Sequence, residues 1–119
     1  MLVELKNVRQ IKGEGRRRWF RDESFDLIVW YTGDEMVGFQ LCYKKNNREH
    51  ALTWRADGGY SHNRIDDGER VFVSKMTPIL VADGAFDRES VSQRFLAAAR
   101  NLEPELAAFI HEKLKAYPA

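Results

Sequence analysis

The stretch from Phe25 to Arg55 constrains this chain more than any other. It reads FDLIVWYTGDEMVGFQLCYKKNNREHALTWR, with apolar and polar residues alternating and two turn signals, Gly33-Asp34 and Asn46-Asn47, inside it. Alternation at period two marks a half-buried strand, and a short Gly- or Asn-rich break between two such runs marks a tight hairpin. The spacing therefore predicts three antiparallel strands: Phe25 to Tyr31, Met36 to Tyr43 and Glu49 to Arg55.

With two-residue turns, Trp30 pairs with Val37 and Ile28 with Phe39. Tyr43 then pairs with His50, Leu41 with Leu52, and Phe39 with Trp54. Directly opposed residues share a face, so these side chains form one almost wholly apolar face, which is assigned to the core. The other face carries Phe25, Leu27, Val29 and Tyr31, then Met36, Gly38, Gln40 and Cys42, then Ala51, Thr53 and Arg55. It is apolar at one side and polar at the other, and Gly38 leaves a shallow spot between Val29 and Arg55. A face of this kind calls for a cover, supplied by other strands, by the 56–69 loop or by a second subunit.

The rest of the chain extends this meander and then changes period. Leu2 to Ile11 reads as a first strand, Gly13-Glu14-Gly15 as a turn, Arg16 to Arg21 as a second strand, and Asp22-Glu23-Ser24 as another turn. Residues 56–69, ADGGYSHNRIDDGE, read as a polar loop. Arg70 to Ser74 and Ile79 to Val81 read as one or two short strands, with Pro78 at an edge or break and Asp83-Gly84 as a turn. Asp87 is a fitting N-cap for a helix whose Val91, Phe95, Ala98, Ala99 and Leu102 fall on one stripe. Pro104 stops that helix and suits the first position of a second one, with Leu106, Phe109, Ile110, Leu114 and Tyr117 on its apolar face. Strands followed by helices predict an α+β domain over residues 1–119. Its sheet is an antiparallel meander of about five or six strands over about 2–81, with one face covered by two helices over about 87–117.

Composition narrows the function classes. A chain of 119 residues with 44% hydrophobic and 31% charged residues is long enough for one core and too apolar for disorder. It has no apolar run long enough to span a bilayer and no signal-peptide pattern at its start. Its one cysteine, Cys42, forms no internal disulfide. These features point to a cytoplasmic protein, most simply a bacterial one. The net charge of +1 gives no global field to gather nucleic acid, although Lys6, Arg9, Lys12, Arg16, Arg17, Arg18 and Arg21 all fall in the first 21 residues.

No spacing names a reaction, and no cofactor motif is present. The 56–69 segment holds the densest cluster of functional side chains. His62 with Asp66 and Asp67 has the donor types of a metal site, and in that reading Arg64 neutralises charge during metal-assisted hydrolysis of a phosphate ester. Against it stands the ordinary role of Asp and Asn in capping turns. Ser61 beside His62 lacks the nucleophile elbow of serine hydrolases. Asp57-Gly58-Gly59 lacks the lysine of a phosphate loop. Cys42 and His50 fall on opposite faces, which removes a thiol–imidazole pair. Arg16-Arg17-Arg18-Trp19-Phe20 combines cations with rings, as single-strand nucleic-acid sites do, but alternation divides it: Arg17 and Trp19 face one way, Arg18 and Phe20 the other.

The sequence therefore favours a non-enzymatic, cofactor-free domain that binds a small ligand or a protein partner, as a homodimer. Its candidate residues are Tyr31, Gln40, Thr53 and Arg55 on the second sheet face, with Tyr60, His62 and Arg64 reaching over from the loop. Arg55 would pair with an anionic group and Tyr31 would supply a stacking surface.

Overall fold

The two turns that flank the Phe25–Thr32 strand are closed by chemistry the chain carries locally. The Asp22 carboxylate accepts from the Ser24 and Phe25 amides, both at 2.8 Å, an Asx-type turn. Gly33 sits at φ 60°, a conformation that favours glycine, and lets Thr32 face Glu35 across a two-residue hairpin. The computed structural model describes residues 1–10, 15–45, 48–66, 79–82 and 86–118, with only the backbone for 65, 66 and 79–82.

Among the described residues seven strands pair in chain order in one antiparallel sheet: β1 (Val3–Glu4), β2 (Arg16–Arg21), β3 (Phe25–Thr32), β4 (Glu35–Lys45), β5 (Arg48–Arg55), β6 (Gly59–Asp66) and β7 (Ile79–Ala82). Two helices follow among the described residues, α1 (Arg88–Ala98) and α2 (Pro104–Lys115). This is the expected α+β meander, with two changes in its strands. The first is only two residues long, and residues 59–66, read from sequence as loop, form β6 against β5. Gly33-Asp34 and the Lys45–Arg48 pairing hold the two expected hairpins. The expected strand at Arg70 to Ser74 and the turns at Gly13-Glu14 and Asp83-Gly84 lie outside the described residues.

The helices begin as the sequence predicts. The Asp87 carboxylate caps α1 by accepting from the Ser90 amide at 3.2 Å, and Pro104 opens α2. Val91, Phe95, Ala99 and Leu102 are buried along α1 and its exit, as are Leu106, Ile110 and Leu114 along α2. These side chains cover one face of the sheet. Phe95 meets the Phe25 ring edge-on, centroids 6.4 Å apart, Phe109 meets Trp54 at 5.4 Å, and the Tyr60 hydroxyl donates to the Lys113 carbonyl at 2.7 Å. The short β1 belongs to this packing too. Leu2 is wholly buried, its amide donates to the Ala98 carbonyl, and its carbonyl accepts from Asn101.

One feature of the first hairpin departs from the predicted register. The turn sets Tyr31 opposite Met36 as expected, but the next pair is Trp30 with Gly38, so β4 carries an extra residue at Val37. A β-bulge of this kind shifts the pairing by one and turns the strand over beyond it. The predicted pairs Trp30–Val37 and Ile28–Phe39 are therefore replaced by Trp30–Gly38 and Val29–Phe39. The core face holds Phe25, Leu27, Val29 and Tyr31 on β3, while Ile28 and Trp30 go to the other side. The second hairpin keeps its predicted register, with Tyr43 opposite His50, Leu41 opposite Leu52 and Phe39 opposite Trp54.

Candidate functional site

The sheet face turned away from the helices is built of straight cross-strand rows. Reading from β2 toward β6, one row is Arg17, Trp30, Gly38, Arg55 and Gly59. The next is Trp19, Ile28, Gln40, Thr53 and Ser61. The third is Arg21, Asp26, Cys42, Ala51 and Asn63, and it continues to Ala82 on β7. The β2–β3 side is thus aromatic and cationic, and the β4–β6 side is polar and small apart from Arg55.

In the first row Trp30 lies across Gly38, where a Cβ would stand 3.2 Å from the indole, 3.3 Å from the Arg55 stem and 2.8 Å from the Trp54 carbonyl oxygen. The Arg55 guanidinium sits 4.2 Å above the Trp30 ring, a cation–π contact. Arg17 flanks Trp30 on the other side and donates from its guanidinium to the Arg9 carbonyl. In the second row the Gln40 amide donates to the Thr53 hydroxyl at 3.0 Å. In the third, Asp26 accepts from the Trp19 indole N–H at 3.0 Å and from Arg21 at 2.7 Å. Arg21 also lies 5.4 Å over the Trp19 ring. Asp26 thus neutralises Arg21, whereas Arg55 and Arg17 have no carboxylate partner among the described residues.

Cys42, half-buried in this face, is an unreactive thiol. Burial, followed by the nearby charges of Glu49 and Asp26, pushes it up to about 12, so almost none is thiolate near neutral pH. It points away from His50, which stacks on Tyr43 on the opposite side of the sheet.

The candidate residues divide between the two faces. Gln40, Thr53 and Arg55 stand together on the helix-free face as expected. Tyr31 does not join them, because the bulge turns it to the helix side, where it is buried and accepts from Arg18 at 3.3 Å. Trp30 takes the place expected of it, and Trp19 and Ile28 complete the apolar half. The shallow spot at Gly38 is filled by Trp30 and does not lie beside Val29. Asp26 is the signal for this arrangement: it shares parity with Ile28 and Trp30, so that parity belongs to solvent.

Tyr60, His62 and Arg64 do not reach over this face either. As strand residues opposite Trp54, Leu52 and His50, they turn toward the helices. His62 is 8% exposed, and its Nε2 lies 2.5 Å from the Tyr43 hydroxyl. The His62 and His50 rings are parallel within 13° at 5.8 Å, and Phe86 and Tyr117 close the cluster edge-on. This is a packed aromatic corner between β4, β5, β6 and the start of α1. The metal alternative, His62 with Asp66 and Asp67, falls partly outside the described residues, since Asp67 is not among them. The described residues bring together no group of three His, Cys, Asp or Glu side chains able to hold a metal.

The Arg16–Arg18 triplet is divided as its alternation predicts. Only Arg17 reaches the helix-free face. Arg18 pairs with Glu4 and Glu103, each at 2.7 Å. Both carboxylates are held below the ordinary range, mainly by their hydrogen bonds to Arg18. Arg16 lies 4.6 Å over the Tyr31 ring on the helix side.

Comparison with known proteins finds no matching family model, and no curated protein or solved structure that matches the chain. Among the described residues no helix is long and apolar enough to cross a membrane.

Proposed function

We propose that this chain is a non-enzymatic binding domain whose helix-free sheet face takes up an anionic, extended segment of a partner protein. The observation that carries this reading is the row Arg17, Trp30, Gly38 and Arg55. It presents two cations, without carboxylate partners among the described residues, on either side of a tryptophan that lies across a glycine. A flat indole held by its neighbours loses little freedom on contact, which is why tryptophan and arginine dominate binding energy at interfaces. Arg17 and Arg55 supply charge complementarity to acidic side chains, and Gln40, Thr53, Ser61 and Asn63 supply hydrogen bonds along a polar margin.

The size of the face favours a partner that is released again. Six strands about 4.8 Å apart and about 20 Å of strand length give roughly 500 Å². A stable complex buries about 800 Å² on each side. A homodimer formed through this face alone is correspondingly weak, and self-association belongs to this proposal as a concentration-dependent equilibrium. The cytoplasm, where Cys42 stays reduced, is the compartment this reading assumes.

The test is a titration with poly-L-glutamate at low salt, followed by amide and indole NMR shifts. Shifts confined to β2–β5 residues of the helix-free face, weakened by salt and lost in Arg55→Ala, support the reading. No shift on that face, or equal shifts in Arg55→Ala, overturns it. A fifteen-residue oligothymidylate that shifts the same face while poly-L-glutamate does not would transfer the face to single-stranded nucleic acid.

A further inference from the structure

A second opening lies on the other side of the sheet, where the β3–β4 hairpin meets the first turns of α2. It is a groove of about 630 Å³, within the range of small-molecule sites. Met36, Trp54, Leu106 and Phe109 are its apolar lining, and Trp54 and Phe109 meet edge to face at 67°. The bulge at Val37 helps to form this opening: by adding a residue between Met36 and Phe39, it keeps Met36 on the helix side beside Tyr31.

Two cations stand over this lining. The Lys113 ammonium lies 4.7 Å over Trp54 and 5.4 Å over Phe109, and the Arg16 guanidinium lies over Tyr31. Neither is in an ion pair among the described residues, whereas their neighbour Arg18 is neutralised by Glu4 and Glu103. Asp34, Glu35, Glu103 and Glu105 also line the groove. Glu103 is taken up by Arg18. The other three are exposed at the hairpin tip and on the first turn of α2, as Arg16 is on β2, so water screens these charges more than it does the half-buried Lys113.

The occupancy of the ring faces decides the sign of the ligand. Aromatic linings with acids nearby often hold cations, but here Lys113 and Arg16 already cover the faces of Trp54, Phe109 and Tyr31. A cationic ligand would have to displace them. A carboxylate meets them where they stand, while an apolar or aromatic body attached to it covers the Met36 and Leu106 part of the lining. We infer that this groove binds a small aromatic carboxylate, with Lys113 and Arg16 holding the carboxylate. The site lies on the sheet side opposite the proposed partner face, and neither depends on the other.

The experiment compares three probes of one shape: 3-phenylpropanoate, 3-phenylpropanamide and 3-phenylpropylamine. Binding is read from the Trp54 indole N–H and Lys113 amide signals, the Trp54 signal being identified with Trp54→Phe. The expected result is saturable shifts with the carboxylate at least tenfold tighter than with the amide, and tenfold or more weakening in Lys113→Met and in Arg16→Gln. Both substitutions are at solvent-accessible side chains, and each variant reads the proposal independently if the other is poorly folded. Equal or tighter binding of the amine, unchanged affinity in both variants, or no Trp54 shift with any probe overturns the assignment.

Discussion

At the residue scale, Gly38 does more than its place in an alternating strand suggests. It is the position over which Trp30 and Arg55 cross, and an added Cβ would approach the Trp54 carbonyl oxygen to 2.8 Å. A backbone oxygen in a paired strand yields little, so Gly38→Ala is expected to destabilise the fold by about 1–3 kcal/mol, the range for overpacking. It should also lift the Trp30 indole off the sheet. Thermal denaturation reads the first effect and the Trp30 indole N–H shift reads the second. An unchanged melting temperature would mean that β4 and β5 part more easily than the register implies. The sequence marks Gly38 as a gap but does not say what fills it. That depends on whether Val29 or Trp30 lies opposite, which the bulge decides. Cys42 illustrates the opposite case. Its separation from His50 follows from the second hairpin alone, and that hairpin pairs as its turn predicts.

At the element scale, Arg18 ties together three pieces that contact one another only through tertiary folding: β1 through Glu4, β2 through itself, and α2 through its N-cap residue Glu103. Glu103 makes no side-chain cap to its own helix, since its carboxylate is drawn to Arg18. The sign of the pH effect follows from the lowered carboxyls. A carboxylate held below its unfolded value adds stability above that value, near 4.5, and loses it as the pH falls through the folded value. Arg18→Met, which keeps an unbranched apolar side chain but removes the guanidinium lying 4.9 Å over Phe20, is therefore expected to cost about 1 kcal/mol at pH 7, solvent screening at the exposed glutamates limiting the loss. That difference should shrink between pH 5 and pH 3. Melting curves across this range check it, and a difference independent of pH would assign the loss to packing. The strand β6 belongs to this scale as well. Its inward residues are Tyr60, His62 and Arg64 and its outward ones Ser61 and Asn63, so no hydrophobic alternation distinguishes it from a polar loop. It becomes a strand because β5 offers an unpaired edge and the 55–58 turn, closed by the Gly58 amide on the Arg55 carbonyl at 3.2 Å, folds it back.

At the scale of the whole molecule, one core joins sheet and helices, and Phe95 stands at its centre, wholly buried against Phe25. Phe95→Ala is expected to cost about 3–5 kcal/mol, the range for emptying a phenylalanine site, and to loosen both helices together with β1. Chemical denaturation measures it, and a loss under 1 kcal/mol would show that α1 is dispensable to the core. By itself the sequence determined the meander, the two-residue turn at Gly33-Asp34, the register of the second hairpin and both helix starts. Those features rest on short-range chemistry: period-two alternation, a glycine at positive φ, an aspartate cap and a proline at the first helical position. The tertiary structure decided which face of β3 is buried. Phe25, Leu27, Val29 and Tyr31 take the core from Ile28 and Trp30, whose parity also carries Asp26, and a single extra residue at Val37 brings Phe39 into line with that choice. That choice moves Tyr31 into the core and Trp30 onto the helix-free face. It places Gln40, Thr53 and Arg55 beside tryptophans, and it leaves Met36 and Trp54 to line a groove under α2. Local pattern sets the elements because it acts within a few residues. The sites lie where elements meet, and there the burial of one face against distant helices outweighs the pattern.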